Sequence, residues 1–381
     1  MLKPDLLRPS PVHRCWQWLR KDPLLLVLLA CLPVLMAVSA APLSSVPMLV
    51  DWPTLAALTG LLLLTKGVEL SGGLQHAGAW LVRRVDSERG LAVVMVLASA
   101  ALSTVLTNDV ALFMVVPLTV GVARRVPLPL VRLVVFEALA VNAGSALTPI
   151  GNPQNLFLWR LSQQSFADFM LHMAPLVGLC LALLLVVAGC AFRSRRIALV
   201  PPAQPQATDR LLLGMSLALY LPFLVLTELR LAGVAVAGLA LVFLLVRRRV
   251  LLRVDWGLLL VFVLMFVDLR LLAGLGAVRE LVAGWGLEAP AQLYIAGVAL
   301  SQLVSNVPAA IALAAYSSDW KTLAYAVNVG GFGLVVGSLA NLIALRLAGQ
   351  PGAWRVFHAY SIPFLLVVGC IVYALWFGRV A

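Results

Sequence analysis

Nine stretches of this chain are apolar for longer than a soluble core can use. They fall at about 23–43, 52–69, 128–160, 172–192, 211–227, 229–246, 254–270, 321–348 and 357–378. A helix needs roughly 20 apolar residues to cross the hydrocarbon of a bilayer. Inside hydrocarbon the backbone must satisfy its own polar groups, so these runs are expected to be helices. Composition agrees: 62% hydrophobic against 12% charged residues leaves too little charge to coat a soluble protein of 381 residues. The fold class that follows is an all-α polytopic membrane protein.

The formal net charge of +12 does not mark a nucleic-acid partner, because the basic residues sit in short clusters between apolar runs. Arg83, Arg84 and Arg89 form one cluster, Arg124 and Arg125 another, then Arg193, Arg195 and Arg196, and finally Arg247, Arg248, Arg249 and Arg253. Clusters of this kind face the cytoplasm. Residues 1–22 carry Lys3, Arg8, Arg14, Arg20 and Lys21 and read as a cytoplasmic N-terminal segment. The run after them is long for the core of a cleaved signal, so it reads as a first span. The threading gives a multi-pass protein of the bacterial inner (cytoplasmic) membrane, with its C-terminus in the periplasm and the lipid bilayer as its partner. Five cysteines without paired spacing and four scattered histidines point to no disulfide framework, no metal centre and no cofactor.

Between Arg89 and Arg124, two full crossings would have to turn at Thr107-Asn108-Asp109 with arms of only about 90–106 and 110–123. A re-entrant hairpin over 88–125, entering from the cytoplasm with a polar tip near mid-membrane, fits better. Such irregular backbone is tolerated only where protein or a water-filled cavity surrounds it. The stretch 70–85 is too polar to span and reads as an interfacial helix.

The two halves resemble each other. LSTVLTNDVA (102–111) aligns with LSQLVSNVPA (300–309), pairing Ser103 with Ser301, Thr107 with Ser305 and Asn108 with Asn306. NAGSALTPIGNPQNL (142–156) aligns with NVGGFGLVVGSLANL (328–342), pairing Asn142 with Asn328, Gly144 with Gly330, Gly151 with Gly337 and Asn155 with Asn341. Small residues that help membrane helices pack explain isolated glycines, but not an ordered set with asparagine at both ends. An odd number of crossings separates the copies, so the second is inverted. The expected architecture is about nine full spans plus two hairpins. The first repeat, 23–192, holds spans 23–43 and 52–69, the hairpin, a broken helix at 128–160 and span 172–192. A linker loop and linking span occupy 193–228. The second repeat, 229–381, holds spans 229–246 and 254–270, an interfacial segment 271–287, hairpin 290–320, broken helix 321–348 and span 357–378.

Each repeat thus supplies a hairpin tip and a helix break. Pro149, Pro153 and Pro308 remove backbone donors, and glycines permit non-helical turns. Carbonyls freed at a break, with Ser, Thr and Asn oxygens, suit Na⁺, while half-helix N-termini suit an anion. Asp109 is an intramembrane acid with two readings, a coupling group or a cap on the second hairpin arm. Glu137, Glu69 and Asp268 are weaker candidates, the last two lying near span ends where water can reach them.

The TND tip, the stretch GSALTPIGNPQNLFLW and the SNVP second tip resemble the ion transporter superfamily of divalent anion/sodium symporters, citrate transporters and arsenite efflux permeases. The likeness is nearest to small bacterial anion permeases of the citrate transporter type and runs from about residue 50 to the end. It implies that paired tips bind a small anionic substrate and contribute Na⁺ ligands, in a homodimer with an elevator-type movement. Asp109 and Val307 depart from the third-place Thr of the dicarboxylate symporters, and the first tip is similar to the Thr-Asn-Asp of arsenite permeases. Substrate binding is assigned to Thr107, Asn108, Asn152, Asn155, Ser305, Asn306 and Asn341. Cation binding or proton coupling is assigned to Ser103, Thr107, Asn108, Asp109, Gly144, Ser301, Asn306 and Gly330.

The function expected is secondary active transport of a small anion, coupled to Na⁺ or H⁺, by alternating access. The hairpin-bearing bundle would move against a scaffold at about 23–69 and 211–270. Cation/proton antiport or arsenite-like efflux, with Asp109 titrating, is the second reading. An intramembrane enzyme is disfavoured, since the chain shows no nucleophile–base pair, HExxH or paired catalytic aspartates.

Overall fold

Where apolar residues run unbroken the chain is helical, and where Gly, Pro and Asn cluster, as over 144–153, the helix stops. A computed structural model of the protein describes residues 23–73, 76, 78, 85–124, 126–197 and 207–378. Among these there is no strand, only an isolated bridge between Ser87 and Arg196. Helices of eight or more residues are numbered in chain order. The first ten are α1 Pro23–Ser39, α2 Trp52–Leu70, α3 Glu88–Val105, α4 Asn108–Ala123, α5 Leu130–Ser145, α6 Pro153–Ser162, α7 Phe166–Ala191, α8 Arg210–Glu228, α9 Ala232–Arg247 and α10 Trp256–Gly274. Then come α11 Gly276–Ala283, α12 Pro290–Val304, α13 Asn306–Leu313, α14 Trp320–Val329, α15 Leu339–Ala348 and α16 Ala353–Val372.

Caps set several starts. Ser87 accepts from the Gly90 N–H at 3.2 Å, Ser165 from Asp168 N–H at 3.1 Å and Asp319 from Thr322 N–H at 3.1 Å. Asp209, at the head of α8, accepts from Leu212 N–H at 3.0 Å and from Arg247 Nε at 3.1 Å. Those two donors hold its carboxyl below the usual carboxylate range. Prolines sit inside α1, α4, α7, α8 and α16, which neighbouring helices in a membrane protein tolerate.

By length and composition, six described helices can cross a bilayer: α2, α3, α7, α8, α10 and α16 with its extension to Phe377. A seventh arises if α1 is joined to Leu43–Leu49 across a bend of 115°. The count differs from nine for identifiable reasons. Two of the expected spans are each divided, into α5 and α6 and into α14 and α15, and α9 has only 16 residues. α3, expected as a hairpin arm, passes the length test on its own. Most of the interfacial helix expected at 70–85, Arg125 and the whole N-terminal segment lie outside the described residues.

The chain groups into two units. One comprises the described part of residues 1–51 with residues 255–280. Here α1 packs on α10, and Arg270 donates to the Leu49 carbonyl at 2.8 Å with its guanidinium over the Phe266 ring. Asp268 lies in this unit, and water does not reach it as expected. α10 runs on to Gly274, the side chain is 3% exposed, and neither carboxylate oxygen has a hydrogen-bond partner. Glu69, by contrast, is half-exposed and paired with Lys66 at 2.5 Å.

The second unit, residues 52–254 with 281–381, contains everything else. α2, α8 and α9 belong to it, with α2 packed on both α8 and α9. Glycines in α2 explain this grouping: a Cβ on Gly60 would lie 2.6 Å from Phe223 Cζ of α8, and one on Gly67 would lie 3.2 Å from Phe243 Cζ of α9. The remaining packing is paired. α3 packs on α4 and α5, as α12 does on α13 and α14. α5 and α4 both pack on α15, as α14 and α13 both pack on α6.

The closest of these crossings is at Gly144, where an added Cβ would lie 2.6 Å from Ala100 Cα and 2.7 Å from its carbonyl carbon. Backbone cannot yield as a side chain can, so Gly144→Ala should cost about 1–3 kcal/mol. Gly121→Ala, with open space around its Cβ, should be neutral or slightly stabilising. Thermal unfolding in detergent checks this, and equal midpoints for the two variants would contradict the close crossing.

Candidate functional site

A helix interrupted at membrane depth leaves carbonyls without partners, and in this protein asparagine carboxamides take them up. α5 ends at Ser145 and α6 starts at Pro153. Asn152 caps α6, its Oδ1 accepting from the Asn155 N–H at 2.9 Å. Asn155 Nδ2 in turn donates to the carbonyls of Ala146 at 3.0 Å and Thr148 at 3.2 Å. Gly151 fits because a Cβ there would lie 2.8 Å from the Ser103 carbonyl oxygen. In the second break, between α14 and α15, Gln302 Nε2 donates to the carbonyls of Gly330 at 2.7 Å and Phe332 at 3.0 Å. Its Oε1 accepts from the Leu334 N–H at 2.8 Å. Ser361 and His358 of α16 accept from the N–H groups of Gly333 at 2.8 Å and Val335 at 3.2 Å.

The two breaks are bonded to each other, reciprocally. Asn142 Nδ2 donates to Asn341 Oδ1 at 2.8 Å, and Asn328 Nδ2 donates to Asn155 Oδ1 at 2.7 Å. Ser338 Oγ donates to Asn142 Oδ1 at 3.1 Å, and Asn152 Nδ2 donates to Asn328 Oδ1 at 3.1 Å. Asn142 with Asn328, Asn152 with Ser338, and Asn155 with Asn341 are each separated by the same 186 residues. Asn142 and Asn341 also share the Gly331 carbonyl, at 3.2 and 3.0 Å. All six side chains are buried.

Each tip lies on a break. At the first, the Asn108 N–H donates to the Gly151 carbonyl at 2.9 Å, and Thr148 Oγ1 donates to the Thr104 carbonyl at 2.6 Å. Thr107 is buried in extended backbone, and its Oγ1 has no hydrogen-bond partner. Asp109 stands half-buried in the first turn of α4, and its N–H donates to Asn108 Oδ1 at 3.0 Å. At the second tip, Asn306 Nδ2 would lie 3.2 Å from a Cβ on Gly331. Ser305 adopts φ +77° and ψ 155°, a region close to glycine-only, at a cost of about 1–3 kcal/mol. Its counterpart Thr107 is relaxed at φ −65°.

The predicted residues fall into groups. Asn152, Asn155 and Asn341 belong to the cross-break network, and Asn108 and Asn306 lie against the two breaks. Ser103 and Ser301 donate back to their own helices, to Ala100 at 2.9 Å and Gly297 at 2.7 Å. They line the crossings: a Cβ on Gly330 would lie 2.5 Å from Ser301 Cβ. Asn142, Asn328, Ser338 and Gln302 were not among the predicted site residues. The first two stand out in the internal alignment, and Gln302 is a polar residue within an apolar arm. Among the described residues no three His, Cys, Asp or Glu side chains group as metal ligands. The oxygens gathered here are hydroxyl, carboxamide and carbonyl, the set that suits an alkali cation.

Comparison with known proteins gives a consistent picture. A family model described as citrate transporter matches residues 15–326. The inner membrane protein YbiR of Escherichia coli K12 is 48% identical over 329 residues, covering 86% of this chain and 88% of YbiR. MJ0456 of Methanocaldococcus jannaschii, described as an uncharacterized transporter, is 30% identical over 330 residues, covering 85% of this chain and 86% of its own. Rv2684 of Mycobacterium tuberculosis H37Rv, described in the same words, is 26% identical over 343 residues, covering 80% of each.

The reciprocal bonds make a direct expectation for stability. Removing one buried carboxamide strands its partner and should cost about 1–3 kcal/mol. In double-mutant cycles of Asn142→Ala with Asn341→Ala, and of Asn155→Ala with Asn328→Ala, coupling of about 0.5–3 kcal/mol is expected in both. Simple additivity in either cycle would show that the cross-break bonds do not form.

Proposed function

The chain belongs to the citrate transporter family, and from that membership we propose that it carries a small anion across the inner membrane by alternating access, coupled to Na⁺ or H⁺. As a family member it is a multi-pass membrane transporter rather than an enzyme. The observation that carries the finer reading is the reciprocal asparagine network. It supports two inverted repeats, 23–192 and 229–381, whose helix breaks meet and whose tips rest on those breaks.

In this reading the anion lies against Asn108 and Asn306, at the first turns of α4 and α13. Helix N-termini carry partial positive charge, which favours a carboxylate or similar oxyanion. A cation takes the nearby oxygens, with the unpartnered Thr107 Oγ1 the clearest free ligand at the first tip and Ser305 Oγ, which donates to Asn306 Oδ1 at 3.5 Å, in the aligned place at the second. Binding the cation first brings positive charge to the tips and lowers the cost of burying the anion. The family's name points to citrate as one anion to test. Homodimer formation and an elevator-type movement of the tip-bearing helices complete the proposal, as the family likeness implies. Cation/proton antiport or arsenite-like efflux is the second reading, favoured by Asp109 standing where the symporters have Thr.

Proteoliposomes on a solid-supported membrane test this, challenged with dicarboxylates, citrate, sulfate, phosphate and arsenite, each with and without Na⁺ and a pH step. Current requiring one anion plus one cation is expected, with loss of about tenfold or more in Asn108→Ala and Asn306→Ala. Current from Na⁺ or pH steps alone, abolished by Asp109→Asn, would replace this reading with antiport.

A further inference from the structure

One buried acid has no place in the site described above. Glu137 lies on α5, five residues before Asn142, and is 0% exposed. Its Oε1 accepts from the Thr119 hydroxyl of α4, and its Oε2 has no hydrogen-bond partner. A carboxylate left in this setting, with one donor and no counter-charge, is far costlier than the neutral acid.

Among the described residues no neighbour supplies a counter-charge. The helices packed on α5 are α3, α4, α7, α15 and α16. Their charged and titratable side chains are Glu88 and Arg89 in the first turn of α3, Asp109 in the first turn of α4, and Asp168, His172, Cys180 and Cys190 on α7. Arg346 lies on α15, and Arg355, His358, Tyr360 and Cys370 on α16. Among the described residues none forms an ion pair with Glu137. Glu88 faces Arg195 instead, and Arg132 of α5 itself donates to the Ala191 carbonyl.

Packing does not require the acid either. The residue 186 positions later, on α14, is Leu323, also 0% exposed. An apolar side chain fills the corresponding place in the second half. Meanwhile the Thr119–Glu137 bond joins α4, which begins at the tip residue Asn108, to α5, which carries Asn142 of the cross-break network.

We propose that Glu137 is the proton-binding group of this transporter, taking one proton from the medium on one side of the membrane and releasing it on the other in each cycle. The inference rests on the transport reading above and names its coupling ion. The proton adds to a carboxylate oxygen from water that reaches the parted helices on one side. The neutral acid lets α4 and α5 close around the side chain, and reopening toward the other side lets the proton leave as H⁺ to water there. Ionisation and the closed packing exclude each other, so proton occupancy and conformation are linked.

The test uses the full-length protein in proteoliposomes, as wild type, Glu137→Gln and Thr119→Val. Infrared difference spectra of the wild type minus Glu137→Gln, taken without any substrate at neutral pH, should show a protonated carboxyl band that belongs to Glu137 rather than to the buried Asp268. With the anion found to drive current, a one-unit pH step should raise wild-type accumulation by about tenfold for one proton per anion. Glu137→Gln should lose that gain while exchange of internal for external anion stays within about twofold. Thr119→Val should move the pH midpoint of accumulation, which a packing role alone would leave in place. Unchanged pH-driven accumulation in Glu137→Gln, or a wild-type minus Glu137→Gln difference spectrum with no carboxyl band, would overturn the proposal. A wild type that moves no anion but whose band disappears on substitution would sink the anion reading while upholding Glu137 as a proton site.

Discussion

Carbonyls freed by a broken helix at membrane depth are the constraint on which the rest of this structure depends. Each would cost several kcal/mol if left bare in hydrocarbon. Asn142, Asn152, Asn155, Asn328 and Asn341 meet that demand with carboxamides, which both donate and accept. One end of each side chain can satisfy a carbonyl while the other reaches across to the opposite break, as Asn142 does with Gly331 and Ser338. The breaks are therefore held open by the same bonds that hold them together. Glycines at the crossings follow from this, since Gly144 and Gly330 let the arms α3 and α12 approach closely enough for the tips to rest on the breaks.

The two halves are alike in scaffold and unlike in detail, and the differences fall at the tips and at one buried acid. Ser305 is held in a strained backbone conformation, while Thr107 is relaxed. Asp109 of the first half faces Val307 of the second in the alignment, and Glu137 faces Leu323. In the proposed alternating-access cycle, paired packing would supply two related conformations and the unpaired charges would bias them differently. Strain at Ser305 has the same character, being retained only where the surrounding structure over-determines it.

Much of this is legible in the sequence, for local reasons. Pro149, Gly151 and Pro153 mark the first break because proline lacks a donor and glycine takes conformations others avoid. Thr107-Asn108 and Ser305-Asn306 stand out as polar islands in apolar helices. Side-chain contacts between distant segments leave no such mark. Nothing near Asn142 says that its partner is Asn341, and nothing near Gln302 says that it satisfies Gly330. Burial was misjudged for the same reason: Asp268 lies near the end of an apolar run, yet α10 continues past it and the side chain is enclosed. The length of α3 and the grouping of α2 with α8 and α9 likewise depend on packing partners rather than on hydropathy.

The central claim is that an anion binds where the two tips rest on the bonded breaks. An electron cryo-microscopy map of the protein in lipid nanodiscs, with the transported anion at saturating concentration, tests it most directly. The account predicts density within hydrogen-bonding distance of Asn108 and Asn306, with the Asn142–Asn341 and Asn155–Asn328 bonds intact. An anion bound elsewhere, with both tips empty and the asparagine bonds broken, would contradict it.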